Sequence, residues 1–414
     1  NGFKKTENIE KTDVAILNTC HIRERASEKL YSDLGRLSIF KKNREKIGKK
    51  LSIVVMGCVA QAEGEEIVNR NNFVDYVVGP QNIQAIPNLL KEKEYEKVHI
   101  DFLSEEKFES LKPSQSNKIS RLITIQEGCD KFCSFCVVPY TRGAEFSRPL
   151  EDIYAETYDA VKKGCMEVTL LGQNVSSYKS TVYEGKEKNI QLENLCNTIS
   201  KIPNLKRIRY LTSHPNDIND NLINEHAKNK KMMPFLHLPI QSGSDKILKK
   251  MNRKHTTRQY LELIKKIRRK VPKMAFSSDF IVGYPGETEE DFENTVSLVN
   301  AVKFASSYSF VYSARPGTPA SIQKDFNSVE VKKKRLNYLQ EILNNHQNNF
   351  NKMFLGQEVE ILVTDYGKKE NQYVGRTPHL QPVHVFSSKN LIGRILNIKI
   401  ERLTSFSFHG KILK

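Results

Sequence analysis

Three cysteines within ten residues carry the clearest chemistry in the chain. They lie in Glu127-Gly128-Cys129-Asp130-Lys131-Phe132-Cys133-Ser134-Phe135-Cys136, with three and then two residues between them. Thiolates bind iron–sulfur clusters and zinc, and a loop this short can wrap one metal centre. Three ligands on a cubane of four irons leave one iron without a protein sulfur. Such an open position is what separates catalytic from structural metal sites. The competing reading is a structural zinc loop with a fourth ligand elsewhere. Zinc sites of that kind usually pair two CxxC-type halves, and no second pair exists here. Two further cysteines close apolar runs, Cys20 in Leu17-Asn18-Thr19-Cys20 and Cys58 in Val55-Met56-Gly57-Cys58. Either alone reads as a buried core thiol. Two at equivalent strand ends point to a shared ligand site on a parallel-sheet edge. Cys165 and Cys196 are isolated and read as packing residues.

These loops need a scaffold. Apolar runs at 14–17, 52–56 and 74–78 alternate with helical stretches at 23–39, 60–68 and 83–90. In the first helix Ala26, Leu30, Tyr31, Leu34 and Leu37 recur at helical spacing. The alternation predicts an α/β region built on a doubly wound parallel sheet. No strand precedes Asp13, so the sheet is expected to lack its first strand. Residues 101–120 offer little to bury and read as a linker. The strand–helix pattern then repeats six times, with strands at 122–126, 168–171, 208–211, 235–240, 275–282 and 308–312. Six parallel strands with helices outside predict a partial barrel, whose chemistry belongs on the loops after the strands. A closing helix covers 332–350. Five short β-like runs follow, at 358–363, 372–375, 383–386, 391–400 and 407–413, and predict a small antiparallel barrel.

Charge narrows the partners. Lys and Arg number 65 against 48 Asp and Glu, a net +17 over 414 residues. That excess calls for an anionic partner, nucleic acid ahead of anionic lipid. Between Lys246 and Lys273 twelve basic residues face one acidic residue, Glu262. Lys41, Lys42, Arg44, Lys46, Lys49 and Lys50 form a second cluster, and Arg376, Lys389, Arg394, Lys399, Arg402 and Lys411 a third. Such runs are ordinarily solvated faces, but they also suit phosphate neutralisation. Phe386, Phe406 and Phe408 read as core residues of the terminal barrel, with base stacking as the alternative. Hydrophobic residues make up 38% of the chain, which excludes a wholly disordered one. No apolar run reaches the ~18 residues of a membrane span, and no secretory pattern opens the chain. The expectation is a cytoplasmic protein with no membrane contact, whose seven cysteines bind metal, react or pack.

The three-cysteine loop at the head of a six-fold strand–helix repeat resembles the radical S-adenosylmethionine superfamily. Further runs narrow the resemblance to its methylthiotransferases. They are Asn18-Thr19-Cys20-His21-Ile22-Arg23-Glu24, Gly57-Cys58-Val59-Ala60-Gln61, Cys136-Val137-Val138-Pro139-Tyr140-Thr141-Arg142-Gly143, Leu171-Gly172-Gln173-Asn174, Thr212-Ser213-His214-Pro215, His237-Leu238-Pro239-Ile240-Gln241, Gly283-Tyr284-Pro285-Gly286-Glu287 and Ser313-Ala314-Arg315-Pro316. The resemblance implies an N-terminal methylthiotransferase domain at 1–105, a linker at 106–120, a radical S-adenosylmethionine core at 121–350 and a TRAM RNA-binding domain at 351–414. It implies two 4Fe-4S clusters. Cys129, Cys133 and Cys136 would hold the one that binds S-adenosylmethionine and cleaves it to a 5′-deoxyadenosyl radical. Cys20 and Cys58 would be two ligands of the second. Its third cysteine is expected upstream, in a Gly-Cys-Gln-Met-Asn-like segment absent from this chain, and the Asn start fits truncation. The Ile22-Arg23-Glu24 continuation resembles the branch that converts N6-isopentenyladenosine beside the tRNA anticodon to its 2-methylthio derivative. Implied partners are the tRNA anticodon loop and an electron donor such as flavodoxin, with the protein a monomer.

Other residues carry two readings each. Gly172, Gln173 and Asn174 would hold the methionyl amino group or form an ordinary turn. Gly283 would shape an adenine pocket by close backbone approach. Arg142 and Arg315 would pair with a carboxylate or phosphate, or make structural ion pairs. His214 and His237 are pocket residues or satisfied structural ones. Two alternative functions remain at this stage: a sibling enzyme acting on threonylcarbamoyl-adenosine or a ribosomal-protein Asp, and a non-catalytic RNA-binding protein with a structural metal loop.

Overall fold

The computed structural model describes residues 2–21, 24–92, 96–102, 118–183, 187–405 and 407–413. The side chains of 24–25, 92, 182–183 and 187–188 are not described. Ile22, Arg23, Phe406 and nearly all of the expected linker at 106–120 therefore lie outside the described residues. The chain forms two compact units: Asn1–Lys112 with Gly128–Phe146 and Ser313–Ser321, and Pro113–Glu127 with Ser147–Tyr312 and Ile322–Lys414. The cysteine loop thus belongs with the N-terminal unit.

That first unit is built on strands β1 (Val14–Thr19), β2 (Ser52–Gly57), β3 (Tyr76–Val78) and β4 (Val98–His99), all parallel and in chain order. Helices α1 (Glu24–Lys46), α2 (Cys58–Glu63), α3 (Glu65–Arg70) and α4 (Ile86–Glu92) join them. After Ser52, β2 is apolar because both its faces are covered, as expected of a buried parallel strand. Ile53 and Val55 pack with Leu30, Leu34 and Leu37 of α1 and with Ile67 of α3. Val54 packs on the other face with Ile86 and Leu89 of α4. Each fully buried Val, Leu or Ile contributes about 1.5–3 kcal/mol. Arg44, buried near the end of α1, donates to Asp13 at 2.7 Å and ties the helix to the start of β1. A short helix α5 (Val138–Arg142) follows the cysteine loop and packs on α2.

The second unit carries β5 (Ser120–Thr124), with two-residue strands β6 (Gln126–Glu127) and β7 (Phe146–Ser147) flanking the cysteine loop in sequence. Then come α6 (Leu150–Lys162), β8 (Glu167–Leu171), the hairpin β9 (Lys179–Tyr183) and β10 (Glu187–Gln191), α7 (Leu192–Ser200), β11 (Arg207–Tyr210) and α8 (Asp220–Lys228). β12 (Phe235–His237), α9 (Asp245–Lys250), α10 (Thr257–Lys270), β13 (Ala275–Val282), α11 (Glu289–Val302), β14 (Ser306–Val311) and α12 (Val329–Lys352) complete the repeat. Two parallel trios, β5-β8-β11 and β12-β13-β14, meet at a bridge. There the Ile208 N–H donates to Lys231 O at 2.7 Å, and the Met233 N–H to Ile208 O at 3.0 Å. Six strands therefore run in chain order as a partial barrel. Leu236, Phe276 and Phe280 point to the helices and are fully buried with Leu339 and Leu343 of α12. By strand alternation His237, Ser277 and Asp279 face the other side. The antiparallel hairpin β9–β10 is an insertion that the sequence reading did not contain.

The C-terminal barrel closes in the order β15-β16-β17-β19-β18, from β15 (Glu358–Tyr366), β16 (Gln372–Arg376), β17 (Pro382–Phe386), β18 (Ile395–Leu403) and β19 (Phe408–Ile412). It is antiparallel except for β17–β19, which run parallel. An odd number of strands cannot alternate direction all the way round a closed barrel, so one pair must break the rule. Ile361, Val363, Val383, Val385, Ile398, Ile400 and Phe408 fill it. Phe386 is 54% exposed, which corrects its reading as a core residue.

Candidate functional site

The first part of the site lies at the ends of β1 and β2. Their register pairs Thr19 with Gly57, so Cys20 and Cys58 each follow directly after the C-terminal ends of neighbouring strands, Cys58 as the first residue of α2. Gly57 permits this closeness. Its φ is 98°, and a Cβ there would meet Thr19 O at 2.4 Å. The Thr19 hydroxyl donates to Met56 O at 2.7 Å and locks the same end. Cys20 is exposed and Cys58 half-buried, and neither is in a disulfide. His21, next to Cys20, is buried with no partner for Nδ1. Burial, helped by the charge of Arg315, holds its pKa below the ordinary histidine value. Gln61, from the same run as Cys58, is used structurally and donates to Ile100 O at 2.6 Å.

The second part, in the same unit, is the loop of Cys129, Cys133 and Cys136, none of them in a disulfide. The loop is tightly folded. Gly128 has φ 83° and leaves room for Ala144 O, which a Cβ would approach to 2.1 Å. Phe132 adopts φ 48°, uncommon for a residue with a side chain. The Cys129 N–H donates to Gly143 O at 3.3 Å, and the Ala320 N–H to Ser134 O at 2.9 Å. Burial pushes the Cys129 thiol up to about 11, a cost that a bound metal repays by holding the thiolate. Among the described residues no three His, Cys, Asp or Glu side chains gather as a single-ion site. The donor set is three soft sulfurs on one loop, which by ligand type fits an iron–sulfur cluster. Arg142 ends α5 in this unit, and its carbonyl accepts from Gln81 Nε2 at 3.0 Å.

The remaining residues belong to the second unit. The N–H groups of Gln173 and Asn174 both donate to Gln126 Oε1, at 2.9 and 3.0 Å. Gly172 makes room for that carboxamide, since a Cβ would meet its oxygen at 2.5 Å. Gln126, fully buried, is the residue that sequence reasoning missed; its adjacency to the cysteine loop was the available signal. Asn174 is committed at both ends, donating to Asp217 at 2.7 Å and accepting from Ser176 at 2.9 Å. At Gly283, φ is 71° and a Cβ would meet the Lys332 side chain at 2.5 Å. The Gly283 N–H donates to Glu287 at 2.8 Å. The close approach there is made by α12. Burial raises Glu287 to about 7 although Arg335 stands 3.1 Å away. His214 is structural: it caps a turn by accepting from the Asn216 N–H at 3.3 Å. His237 contacts Ser277 Oγ at 2.5 Å and Asp279 at 3.4 Å. Cys165 and Cys196 are buried in the barrel core.

Comparison with known proteins agrees along the chain. Residues 123–299 match the Radical SAM superfamily, 1–79 the Uncharacterized protein family UPF0004, and 352–413 the TRAM domain. The radical SAM match implies a 4Fe-4S cluster and S-adenosylmethionine, and the TRAM match an RNA-binding module. Among solved structures, the radical S-adenosylmethionine methyltransferase TsrM from Kitasatospora setae aligns with TM-score 0.55 at 13% identity, covering 75% of this chain and 64% of that one. The cobalamin-dependent radical enzyme OxsB aligns with TM-score 0.53 at 11% identity, over 82% of this chain and 48% of that one. These likenesses speak for the fold. Two curated relatives, from Orientia tsutsugamushi (strain Boryong) and Rickettsia felis, are each 48% identical over 419 residues. The alignments cover 99% and 100% of this chain, and 93% and 94% of theirs. Both relatives are named tRNA-2-methylthio-N(6)-dimethylallyladenosine synthase. On that sustained identity, the chain belongs to the tRNA-2-methylthio-N(6)-dimethylallyladenosine synthase family.

Proposed function

We propose that this chain converts N6-isopentenyladenosine beside the anticodon of tRNA into its 2-methylthio derivative. The observation that carries the reading is the 48% identity with synthases of that name along the whole chain. Cys129, Cys133 and Cys136 would hold the 4Fe-4S cluster that binds S-adenosylmethionine. When bound, these groups supply one-electron chemistry able to take hydrogen from an unactivated C–H bond, which acid–base groups cannot do. Cys20 and Cys58 would be two ligands of a second cluster. Gln126 holds the 172–174 loop still through two backbone N–H groups, so that Gly172 and Gln173 present fixed backbone to S-adenosylmethionine. Gly283 and Arg142 are further pocket candidates. The target base is splayed out of a single-stranded loop to be reached. Residues 1–105, 121–350 and 351–414 would act as cluster, radical and RNA modules. A monomer in the cytoplasm, reduced by a flavodoxin-like donor, completes the reading. No described helix is long and apolar enough to cross a membrane.

The test is anaerobic incubation of reconstituted protein with S-adenosylmethionine, a strong reductant and tRNA bearing N6-isopentenyladenosine. Nucleoside mass spectrometry should find the 2-methylthio product. Deoxyadenosine release without any change in the tRNA would overturn the substrate assignment.

A further inference from the structure

The loop entering α12 turns its polar side chains inward and its apolar ones outward. Ile322 and Phe326 are 87% and 83% exposed, the two most exposed large hydrophobic side chains among the described residues. Val329, the first residue of α12, is 58% exposed. The polar residues between them are committed to the rest of the second unit. Gln323 Nε2 donates to the Tyr284 hydroxyl at 3.4 Å, Asn327 Nδ2 donates to Glu287 O at 3.0 Å, and Asp325 pairs with Lys332 of α12. Ordinary surface loops do the reverse. A lone exposed apolar residue needs no explanation, but a run of them on a loop pinned from beneath marks a surface that another molecule covers.

Charge narrows the occupant. Lys324 is exposed between Ile322 and Phe326, and Lys333 and Lys334 are exposed on the first turns of α12. None of the three makes an ion pair among the described residues. Asp325 is neutralised by Lys332, which leaves Glu330 as the carboxylate on this stretch outside an ion pair. The displayed side is net positive and fits an acidic partner. Ile322 and Val329 are aliphatic and cannot stack on a base, which favours an acidic protein over RNA. The position narrows it further. The loop follows directly on 313–321, the segment of the first unit in which the Ala320 N–H donates to Ser134 O, between Cys133 and Cys136. Two residues of chain, at most about 7 Å, lead from Ala320 to Ile322.

We propose that this loop is where an acidic electron-carrier protein docks, with Ile322, Phe326 and Val329 as the apolar centre of the contact and Lys324, Lys333 and Lys334 as its charged rim. The proposal rests on the radical reading above, in which each cleavage of S-adenosylmethionine takes one electron, and adds where the carrier sits. The carrier loses that electron and the cluster of the cysteine loop gains it. A small apolar centre inside a charged rim suits brief electron-transfer encounters, which bury less than about 1,200 Å².

The test measures binding of oxidised flavodoxin, and separately of a small acidic ferredoxin, to the anaerobically reconstituted full chain by isothermal calorimetry. Phe326→Ser and Ile322→Ser should each weaken binding about tenfold, and Lys324→Glu several-fold with a flatter dependence on salt. These side chains are exposed, so circular dichroism melting should stay at the wild-type temperature. Deoxyadenosine formation driven by reduced flavodoxin should fall with the binding, while formation driven by dithionite stays at the wild-type rate. A wild-type chain that binds neither carrier, or variants that bind like wild type, would overturn the proposal. So would variants that keep the carrier but lose an anticodon stem-loop RNA, which makes the loop an RNA contact, or a wild-type dimer that the variants split, which makes it a self-contact. The dithionite arm keeps the two readings apart. No deoxyadenosine from wild-type protein under dithionite would sink the radical reading, whereas a failure of docking leaves that arm intact.

Discussion

Cys129 and Cys165 carry the same atom with the same raised pKa, about 11, and burial is the leading cause in both. What separates them is their company. Cys165 lies in the barrel core and donates to Glu167 O at 3.1 Å, a satisfied thiol whose core cluster, among the described residues, holds one further cysteine, the fully buried Cys196. Cys129 shares a folded loop with two more cysteines outside any disulfide, in the unit that also carries Cys20 and Cys58 at the ends of neighbouring strands. A raised thiol pKa therefore does not separate the two cysteines; the number of cysteines on the same loop does.

Substitutions can break that contrast. The largest effect is expected at Cys133→Ala. Deoxyadenosine formation should fall below detection, and iron and acid-labile sulfide should drop after anaerobic reconstitution. Cys58→Ser should separate two activities. S-adenosylmethionine cleavage should persist while the 2-methylthio product is lost, with iron content lowered but not abolished. Cys196→Ser reverses the pattern. It buries a hydroxyl in an apolar core, costing about 1–3 kcal/mol in a urea titration, and leaves iron content unchanged. The smallest effect is one of pH. His226 is buried, holds a 2.8 Å hydrogen bond with Tyr210, and has a pKa lowered by burial to about 4. The unfolded chain takes this proton below about 6.5 and the folded one only near 4, so protonation favours unfolding. Stability should fall as pH drops through that window, and His226→Phe should flatten the slope.

Much of the scaffold was legible because it follows local periodicity. The strand expected at 275–282 is β13 to the residue, and all six barrel strands appear within a few positions of their expected places. The cysteine loop was legible because ligand chemistry is local in sequence. The rest depends on distant partners. Arg-Ile-Arg-Tyr at 207–210 gives no hint that both arginines are buried, because their acceptors lie about 170 residues away. Gln126 reads as one more polar residue until the 172–174 loop is folded over it. The glycine at 283 suggested a ligand's approach, whereas a neighbouring helix makes the same demand on backbone space.

The buried arginine pair of β11 has a consequence for engineering. Arg207 and Arg209 are 1% and 5% exposed, and Arg209 pairs with Glu167 at 2.9 Å. Their remaining acceptors come from the C-terminal barrel. Cutting the chain after α12, or grafting a different RNA-binding module there, would uncover two cations whose strand was shaped to be roofed. The tail is thus less a detachable accessory than the lid on a pair of charges, and shortened chains that omit it should precipitate before they lose their grip on RNA.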